Sequence, residues 1–185
     1  MSEIELVFPT EEMEAAATAF VAEILHNGEA YINGGAGITA AASYAEWLQT
    51  LRNNLHEDTV QDGRIPSTTY FACRKSDNAI VGIIDIRHRL NDFLYNWGGH
   101  IGYGVRPTER RKGYATQMLA LALQDCKRLS IENVLVVCNH DNEISRATIL
   151  KNGGIFCNEL PAPDGKLIQR YWIDITKPSS IHHTK

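Results

Sequence analysis

The chain has 185 residues, 44% of them hydrophobic, enough to bury a core without disulfide or metal support, and the length fits one domain better than two. A net charge of −4 and a pI of about 6.0 exclude the global basic field that recruits nucleic acid through counterion release, so no nucleic-acid partner is expected. Cys73, Cys126, Cys138 and Cys157 form no CxxC pair and no histidine stands at zinc-finger spacing, so no metal is expected and the thiols suit a reducing compartment. The opening MSEIELVF lacks a charged region ahead of a long apolar one, and no run is long enough to span a bilayer. A cytoplasmic protein with no membrane partner is the expectation.

In chain order, Ile4 to Phe8 suits a short strand. Pro9-Thr10 then opens a helix over Glu11 to His26, with Met13, Phe20, Val21, Ile24 and Leu25 as its apolar positions and Asn27-Gly28 as its stop. Ile32-Asn33-Gly34-Gly35-Ala36-Gly37 is Gly-rich but lacks the Lys-Ser/Thr of a P-loop, so it reads as a flexible loop. Ser43 is placed to cap a second helix reaching about Asn54, with Tyr44, Trp47, Leu48 and Leu51 at helical spacing. Thr68 to Arg74 and Ala79 to His88 read as a hairpin turned by Lys75 to Asn78, and a polar bend follows from Arg89 to Asn96. Trp97 to Arg106 is strand-like until Pro107, which cannot donate to a ladder.

A third helix is expected from Gly113 to Leu129, with Ala115, Met118, Leu119, Ala122, Leu123 and Cys126 repeating on one face. Ile131 to Asn139 suits a buried strand, and Glu143 to Asn152 a short helix ended by Gly153-Gly154. Two last strands, Ile155 to Leu160 and Leu167 to Ile175, are joined by the turn Pro161 to Gly165. The order describes an α/β (α+β) fold, a single domain over residues 1–176 with a polar tail at 177–185 that holds His182 and His183.

Chemistry concentrates where the strand ending at Arg106-Pro107 passes through Thr108 to Ala115 into the third helix. A helix start offers unpaired N–H groups and the positive end of its dipole, which together hold a phosphate. Gly113 permits close backbone approach, and Arg110, Arg111 and Lys112 add charge that matches a pyrophosphate. On charge alone the segment reads better as a solvated basic turn. The strand before it, the proline stop, the small residues at fixed offsets and the apolar helix after it favour an anion site.

These residues resemble the GCN5-related N-acetyltransferase (GNAT) superfamily, whose acetyl-CoA signature Gln/Arg-x-x-Gly-x-Gly/Ala is met by Arg110, Gly113 and Ala115. Tyr103-Gly104-Val105-Arg106-Pro107 looks like the family's fourth strand. Asn142-Glu143-Ile144-Ser145, ahead of a helix ending in Gly153-Gly154, is similar to its Asn-x-x-Ser/Ala segment. The resemblance implies a mixed, mostly antiparallel sheet of six to seven strands, flanked by helices, with a splayed parallel pair that binds acetyl-CoA. It implies that the backbone of Arg111, Lys112, Gly113, Tyr114, Ala115 and Thr116 holds the pyrophosphate while Arg110 orders the loop. The pantetheine arm would pair with Val105, with Asn142 beyond it, and an N–H near Tyr103 would stabilise the oxyanion. The implied activity is acetyl transfer to a primary amine of a small molecule or peptide, by a monomer or homodimer.

An alkyl amine with a pKa of about 10.4 must lose a proton before it attacks, and the departing thiolate gains from an acid. The family's usual tyrosine acid aligns with Ile149, which cannot donate a proton. Solvent, Tyr103 or Tyr114 would serve instead, or the chain binds CoA without catalysis, as a sensing module. His100 is the candidate base, since its ordinary pKa of about 6.5 suits proton removal; a histidine among glycines more often fills space or caps a ladder. Asp85, Arg87 and His88 are candidates to read the acceptor, Glu159 is a second candidate base, and Trp47, Tyr95 and Trp97 are candidate pocket walls or core residues. A nucleotide-binding α/β protein is disfavoured by the lack of GxGxxG glycines.

Overall fold

In the computed structural model, which describes residues 2–176, seven strands form one sheet in the order β1-β2-β3-β4-β5-β7-β6. The strands are β1 (Ile4–Val7), β2 (Ser67–Arg74), β3 (Ile80–Arg87), β4 (Ile101–Val105), β5 (Asn133–Asn139), β6 (Ile155–Pro161) and β7 (Leu167–Asp174). Every neighbouring pair is antiparallel except β4 and β5. This is the mixed sheet expected from the sequence. The tail at 177–185, with His182 and His183, lies outside the described residues.

Two cores cover the two faces of the sheet. Helix α1 (Glu14–His26) and helix α2 (Tyr44–Asn53) bury Phe20, Ile24, Trp47, Leu48 and Leu51 against Phe71 and Ile83. Ser43 caps α2 by accepting the N–H of Glu46, as its position suggested. Helix α3 (Tyr114–Arg128) buries Met118, Leu119, Ala122 and Cys126 with Ile84, Ile86, Val134 and Val136, and Ile149 of α4 (Glu143–Lys151) joins the same cluster. Each large apolar side chain so buried contributes about 1.5–3 kcal/mol of transfer free energy, which seats α3 firmly against the strands.

Two expectations are corrected. The strand expected from Trp97 begins only at Ile101, because Leu94–Gly98 winds into a π-helical turn and Gly99 takes a φ of 66° that an extended strand does not use. The Gly-rich segment at 32–37 is a loop, but it is held in place. Trp47 Nε1 donates to the Gly35 carbonyl at 3.0 Å, and Gly34 lies so close to β4 that a Cβ there would stand 2.1 Å from the Gly102 oxygen. Glycine at 34 is required by this backbone-on-backbone contact.

Candidate active site

Strands β4 and β5 share a single recorded pairing, Ile101 with Val136. Beyond it β4 continues through Tyr103 and Val105 along β3, while β5 continues along β7, so the two strands part and leave a wedge. A cleft of about 1050 Å³ runs from the start of α3 through this wedge to Trp97 and the hairpin turn at Asp164 and Lys166.

At the α3 end, Arg111 and Gly113 both take positive φ, 63° and 82°, which turns the chain sharply into the helix. Among the described residues, no hydrogen bond is made by the backbone N–H groups of Arg111, Lys112, Gly113, Tyr114, Ala115 or Thr116. They form a continuous donor array at a helix start, a geometry suited to a pyrophosphate. The three neighbouring cations do different jobs. Arg110 donates to both Glu29 carboxylate oxygens at 2.7 and 2.8 Å and to the Val105 carbonyl at 3.1 Å, so it ties the loop to β4 and to the segment after α1. Lys112 pairs with Glu109 at 2.9 Å. Arg111 makes no ion pair among the described residues, and neither does Lys151, which lines the cleft from the end of α4. Lys151 was missed from the sequence because only the packing of α4 beside α3 brings it here.

In the wedge, the Tyr103 hydroxyl lies 2.8 Å from Ser145 Oγ in the first turn of α4. Burial pushes the Tyr103 pKa up to about 12, so the phenol keeps its proton at neutral pH. Asn142 caps α4 by accepting the Ser145 N–H at 3.0 Å, which fixes Ser145 at the wedge. Cys138 stands on the β5 wall, and burial raises its thiol pKa to about 11. Ile149 is fully buried and plays a packing part.

A family model for the acetyltransferase (GNAT) domain matches residues 6–155 of this sequence. The chain belongs to the GNAT acetyltransferase family. It is an acyltransferase of a family whose donor is acetyl-CoA, and the donor array and open wedge fit such a molecule. Among solved structures it is similar to MccE, a microcin self-immunity acetyltransferase in complex with acetyl-CoA and AMP: 17% identity, 94% of this chain and 93% of that one, TM-score 0.67. It is similar to RimL, a ribosomal-protein α-N-acetyltransferase in complex with coenzyme A linked to a cysteine by a disulfide, at 16% identity, 94% and 95% coverage and TM-score 0.67. A spermidine N-acetyltransferase SpeG chimera from Vibrio cholerae and hSSAT matches at 12% identity, 95% and 98% coverage and TM-score 0.62. No curated protein matches the sequence.

In this GNAT chain the residues singled out from sequence fall in different places. His100 is buried and is not among the cleft-lining residues. Its N–H donates to the Leu135 carbonyl at 2.7 Å and its Nδ1 accepts the Leu135 N–H at 2.9 Å, so it joins β4 to β5 just before they part. Burial, aided by the nearby Arg87 charge, holds its pKa down at about 4. Glu159 lies outside the cleft lining, where it accepts from Gln169 and meets His140 Nδ1, both at 2.7 Å, and these contacts lower its pKa. His88 meets Thr68 Oγ at 2.8 Å, and burial lowers its pKa. Tyr114 lines the cleft, but its hydroxyl accepts from Arg74 at 3.3 Å. Of the three candidate aromatics, Trp47 is core, Tyr95 stacks with Arg170 and Trp97 lines the cleft.

The GNAT cleft has two unlike faces. Tyr103 points toward α4, so its neighbour Gly102 faces the other way, by the alternation of a strand. On that side Gly102 is covered by Gly34 of the Gly-rich loop and by the Arg87 guanidinium.

Proposed function

We propose that this protein is an acetyl-CoA-dependent N-acetyltransferase that transfers the acetyl group to a primary amine of a small molecule or peptide by direct attack on the thioester. The observation that carries this reading is the run of unpaired N–H groups from Arg111 to Thr116 at one end of a wedge whose wall holds the paired hydroxyls of Tyr103 and Ser145. The N–H run, with Arg111 and Lys151, would hold the phosphates. Val105 and Asn142 would border the pantetheine arm. Acetyl-CoA supplies the activated acetyl group.

The protein's own groups then have separable tasks. Tyr103 keeps a proton at neutral pH and is linked to Ser145, so the pair can deliver hydrogen-bonding capacity or a proton to a departing thiolate. This supplies the acid that Ile149 cannot. His100 is in this reading a positioning residue, because its Nδ1 lone pair is engaged by Leu135 and the cleft lining excludes it. The amine proton leaves to water, which favours amines of lower pKa and gives a rate that rises with pH until the acceptor is neutral. The cytoplasm, with its reduced thiols, is the compartment that suits such a reaction.

Release of CoA thiol from acetyl-CoA, measured over a panel of primary amines, tests the proposal. Amine-dependent release above hydrolysis is expected. Tight acetyl-CoA binding without such release across the panel would support a CoA-binding or sensing role instead.

A further inference from the structure

On the side of the cleft away from α4, the Arg87 guanidinium keeps an arm that makes no hydrogen bond among the described residues. Arg87 ends β3, and its guanidinium is held from two sides. Nε lies 3.1 Å from Asp85 Oδ2, and Nη1 donates to the carbonyls of Gly98 and Gly99 at 3.2 and 3.4 Å. Asp85 is buried and accepts from Thr69 at 2.8 Å, so the anchor is itself fixed. Nη2 makes no hydrogen bond among the described residues. A Cβ on Gly102 would stand 3.3 Å from Nη2, which places this free arm against β4, one residue from Tyr103 and on the face away from α4.

The rest of that end of the cleft gives the cation no competitor. Among the described residues, four carboxylates line the cleft. Glu29 is paired with Arg110, Glu109 with Arg74 and Lys112, and Asp164 with Lys166, while Glu143 belongs to α4. A polyamine would find no uncommitted carboxylate on the Arg87 side and would meet a guanidinium instead. Trp97 and Tyr31 also line the cleft and offer apolar surface.

We propose, on the reading of this chain as an N-acetyltransferase, that Arg87 is a specificity-determining residue and that the acceptor is a primary amine carrying a carboxylate a few atoms from its nitrogen. That chemistry has two sources, a free amino acid and the acidic N-terminal residue of a peptide. The guanidinium arm takes the carboxylate by a charge-assisted hydrogen bond and so orients the amine toward Tyr103 on β4. The pre-fixed arginine loses little freedom when it binds, which favours it over a mobile surface lysine for this task.

The test compares CoA thiol release with phenylalanine, phenylalaninamide, aspartyl-alanine, asparaginyl-alanine and spermidine as acceptors, for the wild type and for Arg87→Gln and Arg87→Lys. The wild type is expected to show a kcat/KM at least about tenfold higher for an acid-bearing acceptor than for its amide partner, in the free amino acid pair, the peptide pair or both. The pair that shows the ratio identifies the source. In Arg87→Gln that ratio should fall to within about twofold while the KM for acetyl-CoA stays unchanged, and Arg87→Lys should restore part of it. General structural damage would lower acid and amide alike and leave the ratio intact, which would overturn the role of Arg87. Turnover of amides or spermidine equal to or better than the acids would overturn the acceptor class while leaving the acetyltransferase reading standing. No turnover of any acceptor despite acetyl-CoA binding would overturn both.

Discussion

At the scale of single residues, the proposed reading gives Tyr103 the proton-donor part and leaves His100 a positioning one. A histidine on the strand beside the thioester invites the role of base, yet His100 spends its lone pair on the Leu135 N–H at the mouth of the wedge. Its folded pKa of about 4 lies below the unfolded value of about 6.5, so between these limits the unfolded chain binds the extra proton. Its contribution to stability is therefore full above about pH 6.5 and is lost as pH falls toward 4. Urea denaturation should show His100→Ala less stable than wild type by about 2–4 kcal/mol at pH 7.5, from an orphaned N–H and a cavity, with the gap narrowing by pH 4.5. A gap that widens on acidification would show that the ring is charged in the fold. Tyr103→Phe keeps the packing and removes the hydroxyl that meets Ser145. Its kcat should drop by about a hundredfold with little change in the KM for acetyl-CoA, the pattern of a group used in the chemical step. Both roles stood among the alternatives read from the sequence, but the choice between them was not legible there, because a residue shows its chemistry and not the partner that consumes it.

At the scale of elements, strands and helices followed apolar periodicity closely. Met118, Leu119, Ala122 and Cys126 are buried on one face of α3, and Ser43 and Asn142 cap the helices they precede. Asn142→Ala should cost about 1 kcal/mol of stability and, by loosening the turn that presents Ser145, lower turnover; thermal unfolding and steady-state kinetics read the two effects separately. The failures come from contacts that span elements. The Gly-rich loop looked free because its glycines match no phosphate motif, but Gly34 is pressed onto Gly102 and Trp47 holds Gly35. Gly34→Ala would bring a methyl group within 2.1 Å of a backbone oxygen at a φ of 74°, so the loop must move off β4. Faster proteolysis at residues 29–37 should report that movement, with the fold of the sheet retained. Unchanged cleavage would mean that the loop is seated by something other than this contact.

At the scale of the whole molecule, the GNAT sheet creates a site by failing to close. Antiparallel pairing runs from β1 to β4 and from β5 through β7 to β6, with register shifts at Ala72/Cys73 and Phe156/Asn158, and the one parallel junction holds at Ile101 and Val136 before it opens. The geometry of the proposed donor loop was readable because strand, proline stop, glycine and helix are consecutive in the chain. The proposed acceptor side was legible only as scattered candidates, Arg87 and Trp97 among them, since Gly34, Arg87, Trp97 and Asp164 come from separate segments that only the tertiary fold assembles. Because acetyl-CoA would bind the folded chain alone, saturation at 100 times its Kd should stabilise the protein by about 2.7 kcal/mol and raise its Tm by several degrees. The most direct measurement of the central claim is an acetyl-CoA titration followed by backbone amide NMR. The account predicts that the largest shifts fall on the amides of Arg111 to Thr116 and on Tyr103 to Val105, while β1, β2 and α2 stay still. Shifts that leave Arg111 to Thr116 unmoved while acetyl-CoA binds elsewhere, or no binding at all, would contradict it.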